Sequence, residues 1–152
     1  MLVCGQVNPP PIGNGYNGVY FSENDDLSGK ANSLKGTPLR VEHNDKTHVG
    51  QVIQGWTDSR GAMWALAEID TSNLSGAVTA AAVEHGRLGE FSLGYVAKMK
   101  KDKITGKIEV QDKRIIELSI VKKGAREGCI IQAKEGGPAS RSIIQKKKYN
   151  RD

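Results

Sequence analysis

The residues of this chain that could do chemistry together are a histidine, a serine and a glutamate. His43 ends the strand-like segment PLRVEH, Ser92 lies in GEFSLGY directly after a helical segment, and Glu117 lies inside the apolar run IIELSIV. A serine nucleophile needs a base within hydrogen-bond reach, an acceptor that orients the base, and donors for the oxyanion. The three residue types therefore allow a serine hydrolase site.

Residue types alone do not select this interpretation. A carboxylate inside an apolar strand is costly unless it is paired, so Glu117 requires a partner. That partner could be a lysine or an arginine in a structural ion pair, which is the more common arrangement. A lone histidine is also more often a surface or core residue than a base, so His43 and Ser92 taken singly leave a serine hydrolase as a minority hypothesis.

Length and composition predict one soluble globular domain. The chain has 152 residues, of which 38% are hydrophobic and 26% charged. No apolar run approaches the length of a membrane span. The two cysteines, Cys4 and Cys129, have neither metal-binding nor disulfide-framework spacing. We therefore expect buried thiols, an intracellular and reducing setting, and no metal or other cofactor.

Short β-prone runs separated by turn signals make up most of the chain. They cover residues 2–7, 18–21, 38–43, 49–56, 62–69, 91–99, 106–112, 113–121 and 128–133. The segment DTSNLSGAVTAAAVEHG predicts one helix, with Ser72 or Thr71 as N-cap and Gly86 as its stop. This pattern predicts a mainly β fold with one or few helices, a closed or nearly closed β-barrel with a helix packed on it.

The two ends of the chain differ in composition and charge. Residues 1–133 hold the predicted strands and helix, whereas residues 134–152 combine Gly, Pro, Ser and a lysine run and predict a flexible basic tail. Residues 1–97 carry a net charge of −4 and residues 98–152 a net charge of +9. A basic half could bind nucleic acid or an acidic partner, although charged hairpin edges that resist aggregation explain the hairpin lysines equally well. Aromatic residues are only 5% and are not interleaved with the basic runs, so nucleic acid is not expected as a specific partner.

Three segments resemble those of viral capsid-maturation serine proteases, the herpesvirus assemblins and the tailed-phage prohead proteases. PLRVEHNDKTHVGQV is similar to the segment around the first histidine of the assemblins, and EFSLGYV to the nucleophile segment of both groups. IIELSIVKKGAREGC resembles the phage segment that supplies a glutamate as the third member of the triad. The spacing from Glu117 to Gly124 and Arg126 also fits the herpesvirus turn that forms the oxyanion hole. The segments occur in the family's order, His, Ser and acid, within residues 38–130.

The resemblance implies a role for each of these residues. Ser92 would be the nucleophile, His43 the general base and Glu117 the residue that orients the base. The backbone amide of Ala125, assisted by Arg126, would form the oxyanion hole. Ala125 stands where assemblins have an arginine, and alanine keeps the backbone amide that the role needs.

His48 and His85 are expected to be ordinary polar residues. His48 lies five residues after His43, where the family has no catalytic residue. His85 ends the predicted helix, where a protonated imidazole would be favourable.

The resemblance also implies a function and partners. The chain would be a serine endopeptidase that cleaves scaffold protein and itself inside the viral procapsid of a host cell. Its partners would be viral scaffold and capsid proteins, and a homodimer is allowed, although assemblins surround their barrel with more helices than the one predicted here. The alternatives are a non-catalytic β-barrel that binds scaffold or nucleic acid through its basic half, and an esterase on the same triad.

The predicted tail contains a candidate cleavage site. Assemblins cut after alanine, typically before serine, and the chain has one Ala-Ser pair, Ala139–Ser140. The Gly-Gly-Pro lead-in keeps this segment out of helix and sheet. We therefore expect either slow self-cleavage at this bond, with release of the basic tail, or an inert linker to a tail that binds scaffold or capsid protein.

Overall fold

A computed structural model describes residues 1–10, 19–21, 27–126 and 128–134 of the chain. Most of the predicted tail, with Ala139–Ser140, lies outside these residues. The described part contains one α-helix, α1 (Leu74–Glu84), and a 3₁₀ helix (Leu27–Leu34). Its strands are β1 (Leu2–Asn8), β2 (Val19–Phe21), β3 (Pro38–Val41), β4 (Asn44–Thr57), β5 (Met63–Ile69), β6 (Glu90–Lys101), β7 (Ile108–Val121) and β8 (Ile131–Lys134).

The strands form one curled sheet in which β7 is the central element for the site. The order is β2-β7-β3-β4-β5-β1-β8, and β6 pairs with β7. β3 runs parallel to β7, and β6 runs antiparallel to it. Since β2 and β3 share one edge of β7, β6 occupies the other. The start of β6 also bridges to the segment before β8, where the Phe91 N–H donates to the Cys129 carbonyl over 2.7 Å. The prediction of a mainly β fold with one or few helices is confirmed in the described residues as a curled sheet, and its closure into a barrel stays a prediction.

Alternation along β6 and β7 separates the core from a polar face. Phe91, Leu118 and Ile120 are buried in the main hydrophobic cluster. Because successive side chains of a strand point to opposite faces, the neighbours Ser92 and Ser119 lie on the opposite face. These two serines are directly paired across the strands. The same two strands therefore build the core on one face and a polar cluster on the other.

Two predicted strand boundaries were wrong for the same reason. β3 ends at Val41 instead of residue 43, because Glu42 and His43 have positive φ angles of 51° and 57° and form the turn into β4. The strands predicted at 106–112 and 113–121 are one strand, β7, with an irregularity at Asp112, whose φ is also 51°. Positive φ angles are uncommon in residues other than glycine, and the β-prone pattern of these segments does not predict them.

The predicted helix is present, with a different N-cap. Asn73 caps α1, and its side chain accepts from the Gly76 N–H over 2.8 Å. Ser72, one of the two predicted caps, instead bonds to Asp70 through both its hydroxyl and its backbone N–H. Gly86 ends the helix with a φ of 74°, as predicted. In the described part of the chain, no helix is long and apolar enough to cross a membrane.

The turn between β4 and β5 is organised by a buried aspartate. Asp58 accepts hydrogen bonds from the Trp64 indole over 2.9 Å, from the Ala62 backbone over 3.0 Å, and from the backbone and guanidinium of Arg60. Burial by itself would raise the pKa of Asp58, but these hydrogen bonds outweigh it and hold the pKa below its ordinary value. The ionised carboxylate is therefore part of the folded structure.

Candidate active site

The turn that carries His43 is strained and is held onto the end of β7. Glu42 and His43 are the two loop residues between the paired residues Val41 and Asn44, and two positive φ angles are typical of a type I′ turn. Such conformations cost about 1–3 kcal/mol for each residue other than glycine. The Glu42 N–H donates to the Ile120 carbonyl over 3.1 Å, and the His43 N–H donates to a serine hydroxyl of β7. These contacts fix the imidazole above the polar face of β6 and β7.

His43 contacts both of the residues that the sequence grouped with it. Its Nε2 lies 2.9 Å from the Ser92 hydroxyl, and its Nδ1 is hydrogen-bonded to the Glu117 carboxylate. With the proton on Nδ1, the ring donates to Glu117 and Nε2 can accept from the Ser92 hydroxyl. The Glu117 side chain is 3% exposed and that of His43 is 44% exposed. The arrangement therefore runs from a buried acid to an accessible imidazole.

Ser119 completes this network and was missed by the sequence analysis. Its hydroxyl donates to Glu117 Oε2 over 2.8 Å and accepts from the His43 backbone N–H over 3.0 Å. Ser119 is fully buried, so it satisfies the second carboxylate oxygen where water cannot. The signal was its spacing: in Glu-Leu-Ser the first and third residues share one face of a strand.

Gly94 provides the space that Glu117 occupies. The two residues are directly paired across β6 and β7. A Cβ added to Gly94 would lie 2.6 Å from Glu117 Cδ and 2.7 Å from its Cγ, closer than real Cβ contacts. The carboxylate can therefore lie across β6 towards His43 only because this position has no side chain.

The turn of residues 122–128, described except for residue 127, packs against the peptide that precedes Ser92. A Cβ on Gly124 would lie 2.8 Å from the Phe91 carbonyl oxygen, so the backbone of the turn closely approaches the Phe91–Ser92 peptide. Ala125 follows in the chain and is exposed. Consecutive Cα atoms are about 3.8 Å apart, so the Ala125 amide is close to this peptide as well.

Arg126 is anchored between β1 and β6. Its guanidinium donates to Asn8 Oδ1 and to the Tyr95 hydroxyl over 3.3 Å, and it lies 5.8 Å from the centroid of the Tyr95 ring. Tyr95 is three residues after Ser92 on the same strand. The guanidinium is thus held near the start of β6, and its role towards an oxyanion stays a prediction.

The remaining candidates lie on other elements of the fold. His48 is exposed, and its Nε2 donates to the Gly50 carbonyl over 2.6 Å. His85 is the C-cap residue of α1. Cys4 and Cys129 are buried free thiols, and burial raises the pKa of Cys129 to about 11, which keeps it protonated at neutral pH. Within the described ranges, no group of three His, Cys, Asp or Glu side chains is placed to hold a metal ion.

Comparison with known proteins identifies the fold. No protein-family model and no curated protein sequence matches this chain. Among solved structures, the Kaposi's sarcoma-associated herpesvirus (KSHV) protease bound to a hexapeptide phosphonate inhibitor matches with a TM-score of 0.60 and 12% identity, over 97% of this chain and 76% of that chain. The capsid assembly protease of bacteriophage T4 matches with a TM-score of 0.53 and 11% identity, over 80% of this chain and 97% of that chain.

A second herpesvirus structure supports the same assignment. KSHV protease in complex with a dimer disruptor has a TM-score of 0.53 and 15% identity, over 95% of this chain and 87% of that chain. Identities this low establish the fold alone. The chain therefore has the fold of the herpesvirus protease and of the phage capsid assembly protease, which confirms at the level of fold the resemblance suggested by the three sequence segments.

Proposed function

We propose that this chain is a serine endopeptidase of viral procapsid maturation, which cleaves scaffold protein and itself. The observation that carries the proposal is the hydrogen-bonded series from Ser92 Oγ to His43 Nε2, 2.9 Å apart, and from His43 Nδ1 to the buried Glu117. It occurs on a fold shared with proteases of two groups of viruses. If Glu117 only formed a structural ion pair, no serine hydroxyl would be needed beside the other ring nitrogen of His43.

The proposed mechanism follows from these contacts. Ser92 Oγ attacks the carbonyl carbon of the scissile bond while its proton moves to His43 Nε2, and Glu117 stabilises the imidazolium that forms. The Ala125 amide, with Arg126 nearby, stabilises the negative oxygen of the tetrahedral intermediate. His43 then donates its proton to the leaving amine, and the acyl group stays on Ser92. Water, activated by the same imidazole, releases the acyl group and restores the serine.

The edge of β6 favours a peptide over a small ester as the substrate. β7 pairs with one edge of β6 along its whole length. Beyond the bridge at Glu90, the opposite edge has no strand partner within the described residues. Its N–H and C=O groups can pair with an extended peptide beside Ser92, which is how strand addition provides affinity. An ester without a peptide backbone would gain nothing from this edge.

The setting and the partners are part of the same proposal. We place the enzyme inside the procapsid, with scaffold and capsid proteins as its partners, because one structural neighbour is a capsid assembly protease. Another neighbour was solved with a dimer disruptor, so we extend a homodimer to this chain. The proposed triad comes from a single copy, so a dimer would support the site without contributing to it. Light scattering of the purified protein measures the oligomeric state.

Labelling with a serine-reactive peptide phosphonate tests the function. We expect one adduct, located at Ser92 by mass spectrometry, and no adduct in Ser92→Ala or in His43→Ala. Ser33→Ala is the matched control, since Ser33 is an exposed serine of the 3₁₀ helix. The Ser33→Ala protein should be labelled at Ser92 and should cleave peptide as wild type does.

Peptide cleavage must accompany the label. The Ser92→Ala protein should keep its melting temperature and lose at least about a thousandfold in peptide turnover. A folded protein in which Ser92 is not labelled would refute the proposed protease function. In that case salt-sensitive binding of scaffold protein or nucleic acid to the basic half would become the leading hypothesis.

A further inference from the structure

Two glutamates bind the backbone of the 122–128 turn from the two elements that carry His43 and Ser92. Glu42, next to His43, accepts from the Lys122 N–H over 2.7 Å. Glu90, two residues before Ser92, accepts from the Gly124 N–H over 3.0 Å. The 122–128 turn thus makes one carboxylate contact with the turn that carries His43 and one with β6.

These contacts are made where the turn has no regular ladder to hold it. β7 ends at Val121, and β8 begins ten residues later, at Ile131. A backbone amide stabilises an oxyanion only if it is already oriented when the charge develops. The Ala125 amide belongs to the peptide bond that directly follows Gly124. Fixing the Gly124 N–H therefore limits how far the Ala125 amide can move.

We propose that Glu42 and Glu90 are positioning residues that hold the 122–128 turn in its oxyanion-binding orientation. The inference rests on the proposed function, because it assigns the turn to the transition state of that reaction. It also gives a reason for a glutamate at position 42. Glu42 has a strained φ of 51°, and its side chain makes the contact that links the turn at His43 to the 122–128 turn.

Substitution by alanine and by glutamine separates this role from general destabilisation. Glu90→Ala removes the acceptor, whereas Glu90→Gln keeps an oxygen that can accept from the Gly124 N–H. We expect turnover to fall about tenfold or more in Glu90→Ala with KM unchanged, since losing an oxyanion donor outright costs about a hundredfold to a thousandfold. Glu90→Gln should restore most of the loss.

The same pair of substitutions applies to Glu42. Alanine and glutamine have the same difficulty with a positive φ, so their difference reports on the contact with Lys122 alone. Glu84→Ala is the matched control, because Glu84 is an exposed glutamate at the end of α1, away from the turn. It should leave turnover unchanged.

Amide hydrogen exchange provides a measurement that does not depend on activity. We expect faster exchange at the Gly124 amide in Glu90→Ala and at the Lys122 amide in Glu42→Ala, with wild-type rates in the glutamine variants. Unchanged exchange in the alanine variants would overturn the proposal, and so would faster exchange with wild-type turnover. A wild-type protein that cleaves no peptide would refute the proposed function and with it the catalytic part of this inference. The exchange differences would then still establish the two anchoring contacts.

Discussion

Replacing Gly94 by alanine should displace Glu117 and uncouple it from His43. The added Cβ would lie 2.6 Å from Glu117 Cδ and 2.7 Å from its Cγ. Non-bonded carbon atoms are stable near ~3.5 Å, so the carboxylate must retreat by about 1 Å. A hydrogen bond of normal length that is stretched by about 1 Å exceeds the range of a useful contact. The change therefore acts on the proposed triad without replacing any of its three residues.

The displacement of Glu117 determines the expected loss of stability and the expected loss of rate. Overpacking of a tight site typically costs about 1–3 kcal/mol of folding free energy. A misplacement of ~1 Å in a catalytic arrangement can cost about a hundredfold in rate. We expect Gly94→Ala to fold with a lowered melting temperature and to lose about a hundredfold in kcat. KM should change little, because in the proposed mechanism Glu117 acts on His43 and not on the bound peptide.

A double-mutant cycle with Glu117→Ala makes the assay specific. Without the Glu117 side chain, the Cβ at position 94 meets none of the atoms that now crowd it. Gly94→Ala should then have little further effect on the melting temperature or on the rate of phosphonate labelling. Gly89→Ala is the control for the loss of glycine itself, because a Cβ at Gly89 would meet no atom within 4 Å. It should behave as wild type.

Two results would refute this reasoning. One is a Gly94→Ala protein with wild-type kcat, which would mean that Glu117 reaches His43 by another path or that it is not needed. The other is an equal loss of stability with and without the Glu117 side chain. The strain would then come from the backbone of β6, and the space filled by Glu117 would be irrelevant.

Three further predictions concern the supporting network, the fold and the tail. Ser119→Ala should lower kcat about tenfold and leave KM unchanged, because it removes the donor to the second carboxylate oxygen of Glu117. Ser119→Thr, which keeps the hydroxyl, should restore part of the loss, and equal activities in the two variants would contradict this supporting role. Asp58→Asn should cost about 1–3 kcal/mol in urea unfolding at pH 7, since a buried donor loses its acceptor. Because the folded pKa of Asp58 is lowered, its contribution to the free energy of unfolding is present above the unfolded pKa of about 4 and is lost as the pH falls through the folded pKa. The difference in stability between wild type and Asp58→Asn should therefore shrink below pH ~4. A difference that stays constant with pH would contradict the assignment. Prolonged incubation of wild type should produce a C-terminus at Ala139 that is absent from Ser92→Ala, and an unchanged mass in an enzyme that cleaves other peptides would exclude self-cleavage at Ala139–Ser140.

The resemblance to viral proteases grouped His43, Ser92 and Glu117, which the structure brings into hydrogen-bond contact, and strand pairing explains why spacing alone could not group them. His43 and Glu117 are 74 residues apart in the chain and meet because β3 lies parallel to the end of β7. Ser92 joins them because β6 pairs with the other edge of β7. Neither pairing can be read from local periodicity, which gives only the faces of each strand. The order of the three motifs carried the prediction, and the pairing supplies its physical reason.

The parts of the site that the sequence did not reveal are those that depend on close contact. Gly94 reads as a small residue in a strand, and only the Glu117 side chain lying across it shows why a Cβ is excluded. Ser119 reads as a polar residue in an apolar run. Its hydrogen bond with the His43 backbone N–H depends on the left-handed turn at His43, which was itself predicted as the end of a strand.

The site and the core share one register, and this explains how a strained polar cluster can persist. Phe91, Leu118 and Ile120 fix the pairing of β6 with β7 by filling the core. A slip of β6 by one residue would turn Phe91 to the polar face and Ser92 into the core. A slip of β7 would do the same to Leu118 and Ile120 and would bring Glu117 into the core. The cost of burying a charged carboxylate among apolar side chains adds to the cost of exposing the core residues, so both oppose the slip. The hydrophobic effect therefore sets the relative positions of Ser92 and Glu117, and the hydrogen bonds of the site only have to orient side chains that already lie together.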